Sequence, residues 1–118
     1  MNDGTFESDN ENSNIALVPW GGSKGPTLEA YNELQTENRD LGWYYTMYIH
    51  PMPEEMLDAL KEKDLVIVPE LNYLGQFGSV LRAEGINAVS ITQYTGLPFK
   101  VRELVSRINE LIKDGVPV

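Results

Sequence analysis

Apolar positions along this chain fall into two rhythms that alternate. Short continuous runs, bounded by charge or turn residues, occupy residues 15–20, 43–49, 65–68 and 86–92. Runs of this length, rich in β-branched and aromatic side chains, predict strands. The uninterrupted Leu65-Val66-Ile67-Val68 predicts one strand buried on both faces. After each run the apolar residues recur with a helical period: Leu28, Tyr31 and Leu34; Met56, Leu57 and Leu60; Leu74, Phe77, Val80 and Leu81; then Val101, Leu104, Val105, Ile108, Leu111 and Ile112. Punctuation agrees with that division. Pro26 suits a first helical turn, where its missing N–H is not needed, and 38–40 end that helix. Pro53, Glu54 and Glu55 open the second helix, with acids placed to complement its dipole. Gly85 and Gly115 stand where the third and fourth stop. On the fourth, Glu103 and Arg107 form an outward pair one turn apart.

Four strand–helix units in succession predict an α/β domain in three layers. The pattern itself gives a mostly parallel sheet of four strands, with helices on both faces joined by right-handed crossovers. A length of 118 residues fits one domain, and 42% hydrophobic residues suffice for a core. Residues 1–14 differ: Asp3, Glu7, Asp9 and Glu11 stand there without a base, and only Met1 and Phe6 are bulky and apolar. They read as an acidic, disordered or linker-like lead-in to a domain spanning 15–118. A fifth strand would come from this segment or from the region near Gln93.

Charge and composition narrow the functional classes. Eighteen acids against nine bases give a net charge of −9, which disfavours nucleic acid and anionic membranes as partners. The chain has no cysteine, so disulfides, thiolate zinc sites, cysteine-ligated clusters and cysteine nucleophiles are excluded. One histidine, His50, excludes a histidine-rich metal site and, before a proline, reads as structural. No apolar run approaches the ~18 residues of a membrane span and no signal peptide is visible, so the chain reads as cytoplasmic.

In such sheets ligands bind at the carboxyl ends of the strands. Here those ends carry two candidate features. The first is the glycine-rich turn after the first strand, where Gly22, Ser23, Lys24 and Gly25 are an anion-binding candidate through free backbone N–H groups, with Lys24 as side-chain donor. The spacing matches neither the phosphate-loop nor the dinucleotide fingerprint, and a plain tight turn is the other reading. The second is the polar turn after the third strand. Gly75 and Gly78 share a helical face and permit close approach, either of the sheet or of another domain. Asn72, Tyr73, Gly75, Gln76 and Gly78 are thus an interface candidate. No catalytic, cofactor-binding or metal-binding residue stands out. Ser23 has no histidine placed near it, and Glu54 and Glu55, being adjacent, face apart.

Several segments carry a family resemblance. Residues 18–30, 49–57, 68–86 and 91–99 resemble, in order, the C-terminal domain of the α subunit of 2-oxoacid:ferredoxin oxidoreductases, the 2-oxoglutarate type most of all. The most specific pieces are Glu70-x-Asn72-Tyr73-x-Gly75-Gln76 and Thr92-x-Tyr94-x-Gly96-x-Pro98-Phe99. The Gly75-Gln76-Phe77-Gly78 turn also resembles that of the transketolase C-terminal-like superfamily, with Gln76 in place of a second glycine. The resemblance implies a five-stranded sheet with an antiparallel edge strand. It implies a complex that converts a 2-oxoacid, such as pyruvate or 2-oxoglutarate, and coenzyme A to acyl-CoA, CO2 and reduced ferredoxin. That complex uses thiamine diphosphate, magnesium and 4Fe–4S clusters held by other domains. The implied role of this chain is non-catalytic assembly against the remaining α-subunit domains and the β subunit, with no activity in isolation. Ferredoxin and coenzyme A are met only through the complex. A small-molecule or anion-binding regulatory module using Gly21–Gly25 is the alternative.

Overall fold

The computed structural model describes residues 6–47, 52–71, 75–93 and 97–114. Among them, five strands and four helices follow the order β1 (Phe6–Asp9), β2 (Ile15–Leu17), α1 (Lys24–Thr36), β3 (Gly42–Thr46), α2 (Glu54–Lys61), β4 (Leu65–Pro69), α3 (Gln76–Ala83), β5 (Ala88–Ile91) and α4 (Val101–Asp114). The sheet order is β1-β3-β2-β4-β5. All neighbouring pairs are parallel except β1 on β3.

The hydrophobic pattern explains the layers. β4 lies inside the sheet, between β2 and β5, and Leu65, Val66, Ile67 and Val68 are each wholly inaccessible to solvent. Burial of such side chains stabilises by roughly 1.5–3 kcal/mol apiece. Alternation along the strand sends Val66 and Val68 to one core, with Met56 and Leu60 of α2 and Phe77 and Leu81 of α3. Leu65 and Ile67 go to the other, with Ala30 and Leu34 of α1 and Leu104 and Ile108 of α4. The result is the expected three-layer α/β sandwich.

The segment read as a loose lead-in instead supplies the fifth strand. Phe6 to Asp9 pair antiparallel with Thr46 to Trp43. Phe6 is buried and stacks on Tyr44 with ring centroids 6.4 Å apart. Two of the acids that suggested disorder have partners: Tyr31 Oη donates to Asp9 Oδ2 at 2.5 Å, and Trp43 Nε1 donates to Glu7 Oε1 at 3.2 Å. Lys63 Nζ donates to the main-chain oxygens of Glu11 and Ser13 at 2.5 and 2.6 Å.

Smaller expectations also change. Leu28 is solvent-exposed, and the inner stripe of α1 is Thr27, Ala30, Tyr31 and Leu34. Arg107 Nη1 donates to the oxygen of Thr92 at 3.1 Å rather than pairing with Glu103. The 86–92 and 43–49 strands are shorter, at Ala88–Ile91 and Gly42–Thr46. The 15–20 strand closes at Leu17, although Val18 and Trp20 still donate to the oxygens of Ile67 and Pro69 at 2.9 and 3.2 Å. Gly85 takes φ +88° just after α3, the left-handed conformation that stops a helix. His50, Gly96 and Gly115 lie outside the described residues.

Candidate functional site

The parallel strands β2 to β5 end on one side of the sheet. β2 leads to α1 on one face and β4 leads to α3 on the other, so their two loops diverge. A crevice at such a divergence is the usual ligand position in open α/β sheets. Trp20, from the loop after β2, stacks on Phe77, from the first turn of α3, with ring centroids 4.9 Å apart and planes 16° from parallel. Behind that stack a 3-10 turn, Gly21–Ser23, runs into α1.

In this geometry the side chains of the anion-site candidate have partners within the chain. Ser23 is fully buried; its Oγ lies 2.5 Å from the oxygen of Pro69 and 2.8 Å from that of Trp20, and it accepts from Trp20 N at 3.2 Å. Its hydroxyl therefore ties the turn to the end of β4 and is not offered to a ligand. Lys24 turns away from the turn. Its Nζ is 3.4 Å from Glu7 Oε1 and 4.2 Å from the centroid of the Tyr45 ring. Gly22 faces Leu71 Cδ1, which a β-carbon would meet at 3.5 Å. Gly25 lies within α1. Gly21, at φ +62°, is a glycine of the tight turn itself. The regulatory-module alternative has no support in this arrangement.

The turn after β4 is built around Glu70. This carboxylate is 1% exposed, and both oxygens are used. Oε1 accepts from Phe77 N at 2.9 Å, and Oε2 accepts from Gly78 N at 2.9 Å and from Ser90 Oγ at 3.1 Å. The first N–H groups of a helix have no partner within it, and its dipole favours negative charge there. Glu70 meets both needs from outside α3. Gly75 enters the helix at φ +64°, a conformation that favours glycine.

The five residues of the interface candidate separate. Gly75 and Gly78 are buried, and both face β5: a β-carbon would come within 3.1 and 2.1 Å of Ser90 Oγ respectively. Their shared face serves helix-on-sheet packing. Gln76 is exposed. Asn72 and Tyr73 lie outside the described residues. Two apolar side chains at this same end are exposed: Met47, placed by its pattern in the 43–49 strand but lying directly after β3 and 76% exposed, and Leu97, beyond β5 and 63% exposed. Glu70 was equally hidden as a functional group, because a cap seven residues before its donor is no local motif.

Among the described residues no group of three or more His, Cys, Asp or Glu is placed to hold a metal ion, and no helix is long and apolar enough to cross a membrane.

No protein-family model matches the chain. The α subunit of 2-oxoacid:ferredoxin oxidoreductase 1 from Aeropyrum pernix is 28% identical over 110 residues, covering 89% of this chain and 17% of that protein. The 2-oxoglutarate oxidoreductase subunit KorA of Mycobacterium tuberculosis is 30% identical over 109 residues, covering 85% and 16%. The chain thus spans about a sixth of the length of these relatives. A solved 2-oxoglutarate:ferredoxin oxidoreductase from Magnetococcus marinus, with 2-oxoglutarate, coenzyme A and succinyl-CoA bound, superposes with a TM-score of 0.81 at 30% identity, over 91% of this chain and 19% of that one. On sequence and fold together, the chain is similar over most of its length to one α/β domain of the 2-oxoacid:ferredoxin oxidoreductase α subunits.

Proposed function

We propose that the chain is the C-terminal, non-catalytic assembly domain of a 2-oxoacid:ferredoxin oxidoreductase α subunit. The observation that carries this reading is the pairing of two facts. The match to such subunits runs over nearly the whole chain. Yet where the loops after β2 and β4 diverge, the place the fold would take a ligand, Trp20 and Phe77 stack on each other. The complete complex would convert a 2-oxoacid and coenzyme A to acyl-CoA, CO2 and reduced ferredoxin. A 2-oxoglutarate substrate is favoured by the names of two relatives.

Thiamine diphosphate, magnesium and 4Fe–4S clusters do not fit the described residues of this chain. Among the described residues no carboxylate cluster is arranged for magnesium, and cysteine is absent from the sequence. These groups belong to the remaining α-subunit domains and the β subunit. The chain meets those partners through the carboxyl end of its sheet. Gln76, with an amide donor and acceptor, is exposed there, as are the apolar side chains of Met47 and Leu97. Asn72 and Tyr73 complete the proposed contact.

The test is co-expression of the chain with the other oxidoreductase polypeptides of its own source, followed by size-exclusion chromatography and a coenzyme A-dependent ferredoxin-reduction assay. The chain is expected to co-elute with the thiamine-binding polypeptides and to be required for activity. Alone, it is expected to give no heat of binding with thiamine diphosphate and magnesium. Elution as a free protein beside a fully active complex would overturn the proposal, as would micromolar thiamine diphosphate binding by the chain alone.

A further inference from the structure

The outer seam between α1 and α4 is a long open hollow. Arg102, Val105, Ser106, Asn109, Ile112 and Lys113 form its α4 side, a stripe at helical spacing. Glu33 and Arg39 close it from the α1 side, and Glu110 sits on the rim. Three of the nine basic side chains of an acidic protein thus line one depression. None of the three makes a side-chain hydrogen bond or ion pair among the described residues, and neither Glu33 nor Glu110 comes within 4.0 Å of them. Asn109 adds a second anomaly. Its Oδ1 is buried and takes no hydrogen bond. An unpartnered buried acceptor costs stability unless something supplies a donor.

From these observations we propose that the α1–α4 hollow is a docking groove for an extended acidic segment of a partner polypeptide. Spacing decides the class of occupant. Arg102 and Lys113 stand eleven positions apart on α4, hence ~16 Å along its axis. One phosphate or carboxylate cannot reach both. An extended peptide covers that distance in about five residues, at ~3.3 Å each. Acidic side chains near its two ends would face Arg102 at one end and Lys113 with Arg39 at the other. A main-chain N–H between them would serve Asn109 Oδ1. Val105 and Ile112 offer an apolar floor for an intervening side chain. The groove lies on a helix face rather than at the sheet end, so this proposal is independent of the assembly role.

Fluorescence anisotropy with a labelled octapeptide alternating Glu and Leu, and with its Lys–Leu counterpart, tests it. The Glu peptide is expected to bind the intact chain, and the Lys peptide is not. Arg102→Glu and Lys113→Glu should each weaken binding at least ~10-fold. Raising salt from about 0.05 to about 0.5 M should weaken it further. All of these positions are exposed, so the substitutions are compatible with the fold, and circular dichroism of each variant verifies it. No binding of the Glu peptide, equal binding of both peptides, or insensitivity to both substitutions overturns the proposal. Competition by inorganic pyrophosphate at the peptide's own affinity also overturns it, in favour of a small-anion site.

Discussion

Gly78 leaves room for the hydroxyl of Ser90: a β-carbon at Gly78 would lie 2.1 Å from Ser90 Oγ. It would also stand 3.4 Å from Glu70 Oε2, to which Ser90 donates. Gly78→Ala therefore forces Ser90 out of its hydrogen bond or pushes α3 off β5. Overpacking of this kind costs roughly 1–3 kcal/mol, against about 1 kcal/mol gained in helix propensity. A net loss is expected in chemical denaturation. Ser90→Ala in the same chain should recover most of it, because the clashing atom is gone. A Gly78→Ala variant as stable as the parent would show that the close approach is not rigid.

Leu104 and Ile108 of α4 are wholly buried against β4 and α1. Leu104→Ala or Ile108→Ala should each cost roughly 2–5 kcal/mol, through lost burial and the cavity left behind. Equilibrium unfolding measures this directly. A loss under about 0.5 kcal/mol, the range of surface changes, would place the helix outside the core.

Alkaline pH should loosen the N-terminal strand. Burial, with the neighbouring Asp9 adding to it, raises the Tyr31 hydroxyl above its ordinary 10.0, and burial with the charge of Glu11 raises that of Tyr44. The unfolded chain then releases these protons before the folded one does. The associated stability is present below about pH 10 and falls as pH climbs above it. Lys63 acts in the opposite sense, since burial lowers its pKa and the unfolded chain holds that proton longer. Denaturation midpoints should therefore decline above about pH 10, and Tyr31→Phe should flatten the decline. A Tyr31→Phe slope parallel to the parent's would refute the assignment to this phenol.

Gln76→Ala and Met47→Asp change exposed side chains at the carboxyl end of the sheet. The melting temperature of the chain alone should move little, in line with shifts below about 0.5 kcal/mol for surface substitutions. Association with the other oxidoreductase polypeptides should weaken clearly. An unchanged elution profile and activity of the reconstituted complex, for both variants, would remove this face as the contact.

The four strand–helix units were legible because each states its burial locally. A continuous apolar run marks β4, and a 3.6-residue stripe marks α4. The likeness to the 2-oxoacid:ferredoxin oxidoreductase α subunits was legible from motifs around Glu70, Gly75 and Pro98. The strand at 6–9 was not, for a physical reason. Only Phe6 is buried there, while Glu7 and Asp9 are held by Trp43, Lys24 and Tyr31, residues far along the chain. The fate of the Gly21–Gly25 turn was hidden for the same reason. Its serine and lysine are claimed by Pro69 and Glu7, and nothing within the turn reveals those partners. Leu28 shows a further limit. It fits a helical stripe as well as Thr27 does, and only packing against the sheet decides which of the two turns inward.

The strand that comes first in the chain has its place in the sheet only beside β3, some forty residues later. A polypeptide emerging from its amino terminus therefore cannot complete this edge until β2 and β3 have formed. β1 joins by long-range closure rather than by local growth, and the entropy of that loop opposes it. Its tether to the rest is one buried phenylalanine and a few polar contacts, against the four fully enclosed side chains of β4. Native-state hydrogen exchange should find the amides of Phe6 to Asp9 opening well before those of Leu65 to Val68. The sheet would thus have a late-docking, early-leaving margin on one side and a permanent spine in its interior.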